Sequence, residues 1–106
     1  MTILNKEQLQ TFIETNNLKR VNGLIVFDAE VIFYNNNNEH KINSSVQIII
    51  LPNAVAVYIF EFFKEEYQQT EMYSTNDYQF NLSNTNVLEI KKDSGSPRLL
   101  ISVLQQ

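Results

Sequence analysis

With 106 residues, the chain has room for one domain built on one hydrophobic core, and at 43% hydrophobic content it is not a disordered chain. It has no cysteine and a single histidine, which excludes disulfides, thiol nucleophiles and a structural zinc site of the usual kind. Its net charge is −4, and Lys19-Arg20 and Lys91-Lys92 are its only adjacent basic pairs, too little basic footprint for a nucleic-acid binder.

Asn5 to Asn17 reads as a helix. Asn5 is a capping residue type, Gln8 stands where a capping-box partner belongs, and Leu4 is placed to staple onto Leu9. Leu9, Phe12 and Ile13 form a narrow apolar stripe that a sheet face would cover, and Asn16-Asn17 ends the helix. Met1 to Leu4 is followed at once by polar residues rather than by the apolar run of a leader peptide, so a cytoplasmic location is expected.

Val21 to Phe27 reads as the first strand, with Val21, Gly23, Ile25 and Phe27 on one side and Gly23 making space or a bulge. Asp28-Ala29-Glu30 reads as a turn into Val31 to Tyr34. The asparagine run from Asn35 through Asn38 to His40 reads as a loop.

Val46 to Phe63 is the most apolar stretch and the expected centre of the core. β-Branched residues on both sides of Pro52-Asn53 predict two strands joined by a tight turn. A competing reading is one helix from Asn53 to about Tyr73, with Phe60, Phe63 and Tyr67 on one face. Pro52, Asn53 and Glu61 interrupt the run, which argues against a membrane span.

Lys64 to Glu66 then forms a loop tip, and Tyr67 to Tyr73 returns with Tyr67, Gln69, Glu71 and Tyr73 on one side. Tyr78, Phe80 and Leu82 alternate with polar residues as in a half-buried strand. Val87 to Lys91 and Arg98 to Leu104 flank a turn centred on Gly95. Short connections imply antiparallel neighbours. The expected fold is therefore α+β: residues 1–106 as a single globular domain, an N-terminal helix packed on a curved antiparallel β-meander of about six to seven short strands.

The excess charge has an address. Glu61, Glu65, Glu66, Glu71 and Asp77 face only Lys64 in their window, and the rest of the chain is balanced. Neither calcium-loop spacing nor a central glycine accompanies these acids. No nucleophile elbow or phosphate loop occurs, and His40 stands in an asparagine run with no second ligand, which reads as a solvated residue. No metal, cofactor or enzymatic activity is therefore expected. Glu61, alternating with Ile59 and Phe63, reads as a carboxylate at an apolar layer or at an exposed strand end.

Acids interleaved with tyrosines suit a basic protein partner. Glu65, Glu66, Glu71 and Asp77 are the expected contacts, with Tyr73 as aromatic anchor. The corresponding expectation is a small inhibitor or immunity-type protein that masks a basic surface. The alternative is a binder of a small apolar ligand held between sheet and helix, motivated by seven phenylalanines and five tyrosines in so short a chain.

Overall fold

A computed structural model describes residues 2–35, 38–92, 95 and 97–104, with the side chains of residues 2–6 left aside. The helix α1 spans Thr2–Thr15. Asn5 therefore lies inside it rather than capping it, since no glycine or proline breaks the backbone between Thr2 and Asn5. The expected Leu4 staple falls outside the described side chains. The C-terminal stop is where the asparagines predicted it. Asn17 turns left-handed (φ 54°), and the Leu18 N–H reaches back to the Ile13 carbonyl at 3.0 Å, closing the last turn.

A two-residue strand β1, Arg20–Val21, pairs with the start of β2, Leu24–Asn35. Asn22 and Gly23 join them, both at positive φ (53° and 82°), the backbone of a two-residue hairpin turn. This corrects the reading of Val21 to Phe27 as one strand. Gly23 neither bulges nor clears space for the helix, and Val21 is 57% exposed. A second correction concerns Asp28-Ala29-Glu30, which runs straight through β2. Ala29 is fully buried, between an exposed Asp28 and a half-buried Glu30, so the segment is ordinary strand alternation and not a turn.

Strand β3 spans Asn38–Ile50, so His40 stands in a strand opposite Phe33 and not in a loop; Asn36 and Asn37 lie outside the described residues. The central hairpin forms as expected. β3 pairs with β4, Ala54–Glu61, across the turn at Leu51 to Asn53. Strand β5, Glu66–Ser74, then pairs back onto β4, which rules out the competing helix from Asn53 to Tyr73. β6 (Tyr78–Asn84), β7 (Val87–Lys92) and β8 (Pro97–Val103) follow, and β8 returns to pair with β2.

The order β5-β4-β3-β2-β8-β7-β6 is a meander folded back on itself, with every neighbouring pair antiparallel. Six reversals separate β5 from β6, so the two edge strands run in the same sense. Antiparallel closure between them is geometrically excluded, and a parallel closure would need a long crossover where the chain has only the corner Thr75 to Asp77. The sheet therefore curls into a half-barrel that stays open along one seam.

Its concave side holds the core. Ile25, Val31, Val46, Ile48, Val57, Phe80, Leu88, Leu99 and Ile101 are buried there with Leu9, Phe12 and Ile13 of the helix. α1 packs against β6 and β7, and the Phe12 ring meets Phe27 edge-on at 6.1 Å. Gln8 accepts a hydrogen bond from the Leu82 N–H at 2.8 Å, which covers a backbone donor on the β6 edge. Helix and sheet thus meet through packed side chains around Phe12.

Candidate functional site

The β4–β5 hairpin carries the features that the core does not absorb. Its tip, Phe62 to Glu65, is closed by a hydrogen bond from the Glu65 N–H to the Phe62 carbonyl at 3.2 Å, with Glu65 itself left-handed at φ 53°. The phase of the turn throws two large aromatics into solvent. Phe62 is 73% exposed and Phe63 99%. Phe62 rests edge-on against Phe60 (5.4 Å), which in turn meets Tyr67 (5.3 Å), so one flank of the tip is a small aromatic ladder. The Tyr67 hydroxyl is tied to Ser45 Oγ at 2.8 Å, fixing the base of that ladder.

Glu65 and Glu66 flank this tip and are exposed, as are Glu71 farther along β5 and Asp77 in the corner. The expected acidic residues are therefore at the surface. They do not form one cluster: Glu65 and Glu66 stand beside the aromatic tip, while Glu71 and Asp77 lie toward the far end of the strand. A β-bulge explains part of this division. Val57 pairs with Glu71 and Tyr58 with Gln69, leaving Thr70 as the extra residue, its hydroxyl donating to the Val57 carbonyl at 3.1 Å. The inserted residue shifts the alternation by one. Tyr67 and Gln69 share the outer side, while Glu71 and Tyr73 turn to the inner one, which corrects the reading of all four on one side.

Tyr73 is not a surface anchor. It is 3% exposed, its ring meets Tyr78 edge-on at 5.1 Å, and its hydroxyl lies 3.3 Å from Thr70 Oγ1. The Tyr78 hydroxyl donates to the Glu71 carboxylate at 2.5 Å. These contacts join β5 to the start of β6 across the corner Thr75 to Asp77. Burial pushes the Tyr73 phenol up to about 12. The hydrogen bond to Glu71, followed by burial, also raises that of Tyr78. Both groups are neutral in the ordinary pH range and serve as hydrogen-bonding core, not as phenolate chemistry.

A pH test follows. The folded pKa of Tyr73 lies above its unfolded value of about 10, so its contribution is complete below about pH 10 and is lost as pH rises through 12. Urea midpoints should hold steady up to about pH 10, and the part of the later fall due to Tyr73 should reach about 2–3 kcal/mol. Tyr73→Phe should shrink that fall. An unchanged alkaline slope in the variant would show that Tyr73 is not the group responsible.

On the concave side of the same hairpin lies a groove of about 510 Å³ that the helix does not cover. Phe33, Ile42 and Ile59 are among its apolar lining, Phe62 and Phe63 are at its rim, and His40, Glu61 and Gln68 supply polar groups. Glu61 is half-buried at the end of β4 and lines this groove beside Ile59, so it stands between the two readings, at the margin of an apolar layer and at a strand end. Its cross-strand partner is Glu66, two carboxylates directly opposite, and Gln68 donates to Glu66 at 2.9 Å. Sequence reasoning named Glu61 and Glu66 singly. It missed their pairing and the exposure of Phe62 and Phe63, both set by the turn register.

Among the described residues no group of three or more His, Asp or Glu side chains is placed to hold a metal ion, and no helix is long and apolar enough to cross a membrane. Comparison with protein-family models, curated proteins and solved structures finds no match.

Proposed function

We propose that this protein is a protein-binding module that recognises a basic surface of a partner through its β4–β5 hairpin, in the manner of a small inhibitor or immunity-type protein. The observation that carries the reading is the side-by-side placement of two solvent-exposed phenylalanines and the exposed carboxylates Glu65 and Glu66. Contiguous exposed apolar patches rimmed by polar residues mark interaction sites, and Phe62 and Phe63 are adjacent and flanked by charge. Aromatics are enriched at interface hot spots, and exposed charges beside them set which partners approach and how fast. Phe62 and Phe63 take the anchoring role first expected of Tyr73, while Glu71 and Asp77 extend the negative field along β5.

The test is kinetic. The partner is recovered by pull-down with the wild-type chain as bait and identified. Reversing Glu65 and Glu66 to lysine should then lower its association rate, and the deficit should close as salt rises, because screening limits exposed charges to about 8 Å at physiological ionic strength. Stability should hold or rise by up to about 1 kcal/mol, since Glu66→Lys replaces a like-charge cross-strand pair with Glu61 by an opposite-charge one. Wild-type association at low salt in the reversed variant would remove the electrostatic part of the proposal.

A further inference from the structure

The half-barrel covers only part of its concave side. Helix α1 seals the side lined by β6 and β7, and the groove under the β4–β5 hairpin is left open to solvent with an apolar floor. What the groove would accept is constrained by its charge. Glu61 lines the groove, and Glu66, outside the lining itself, is its direct cross-strand partner; two like charges so opposed cost stability, and a cation between the two carboxylates relieves that cost. At about 510 Å³ the groove is the size of a few side chains or a small ligand.

We propose that the groove is the docking place for a segment of the basic partner that carries a lysine or arginine flanked by apolar side chains. The cation sits between Glu61 and Glu66, and its apolar neighbours lie on Phe33, Ile42 and Ile59. Phe62 and Phe63 close over the segment from the rim. A second copy of this chain is a poor occupant, because it would bring the same acidic hairpin against itself. The inference rests on the hairpin being a partner-binding element, and it adds which surface is buried and which chemistry enters it.

The experiment uses the full chain and two capped tripeptides, Leu-Lys-Leu and the same peptide with its lysine side chain acetylated, so that only the charge differs. Methyl signals of Ile42 and Ile59 are followed by NMR during titration. The charged peptide should shift both signals saturably and bind about fivefold more tightly than the acetylated one. In Glu61→Gln and Glu66→Gln, near-isosteric changes checked for melting no lower than that of the wild type, that preference should vanish.

Equal affinities for the two peptides, shifts confined to residues away from the groove, or an unchanged preference in both variants would each overturn the proposal. Methyl shifts that track protein concentration, together with a dimer in sedimentation, would overturn it in favour of a second copy. The two readings fail separately. Peptide docking in the groove with charge-insensitive partner association removes the proposed hairpin electrostatics, and salt-sensitive association with a silent groove removes this inference alone.

Discussion

Phe12→Ala should be the most damaging single substitution on the helix, lowering stability by about 3–5 kcal/mol. The ring is fully buried, meets Phe27 edge-on, and lies between Leu9 and Ile13 in the stripe that fastens α1 to the sheet. Its removal costs both the transfer of a large apolar group and the cavity left behind. Domains of this length are stable by only about 5–15 kcal/mol, so a large share of the total is lost. Thermal melts followed by circular dichroism should show a midpoint lower by about 12 °C or more, from the usual 4–8 °C per kcal/mol for chains near this size. The helix is the only one among the described residues, so its signal near 222 nm reports directly on docking. A midpoint within a few degrees of wild type would mean that the helix does not seal the barrel as the geometry implies.

The same stripe shows why parts of this fold were legible in the sequence. Leu9, Phe12 and Ile13 recur at helical spacing, and Tyr78, Phe80 and Leu82 at strand spacing, and both sets are directed inward. Ile48 and Val57 are β-branched residues on either side of a Pro-Asn turn, and they are buried and paired in register. Local chemistry and tertiary environment agree at these positions. Asn22-Gly23 was a readable hairpin signal lost inside an apolar run. Only the register reveals that Val21 belongs to a separate short strand.

Other features had no local signature. The charged pair Asp28 and Glu30 looks like a turn until Ala29 is known to be buried between them. Thr70 gives no sign in the sequence that it is an inserted residue, yet that bulge decides whether Glu71 and Tyr73 face in or out. The candidate site was legible only in its acids. An adjacent Phe-Phe in an apolar stretch reads as core, and Phe62 and Phe63 became surface because the strand ends at Glu61 and the turn carries them outward. A difference of one or two residues in the end of a strand separates a core aromatic from a binding anchor.

Phe63→Ala should therefore leave the fold untouched and change partner binding. The side chain is 99% exposed, so no cavity forms and stability should stay within about 0.5 kcal/mol of wild type. Phe62 would be a less clean probe, because its ring is propped against Phe60 and a change there disturbs the aromatic ladder. If Phe63 packs into the partner as a hot spot, its loss costs about 2 kcal/mol, close to a thirtyfold change in affinity. Most of that should appear as faster dissociation, since packed contacts govern residence whereas exposed charges govern encounter. Surface-bound kinetics on the purified partner should therefore separate the two classes of residue. Glu65→Lys with Glu66→Lys slows association in a salt-dependent way, and Phe63→Ala shortens the lifetime of the complex at every salt concentration. A Phe63→Ala complex with the wild-type lifetime would show that the exposed aromatic tip is not the anchor and would remove the hairpin as the centre of the interface.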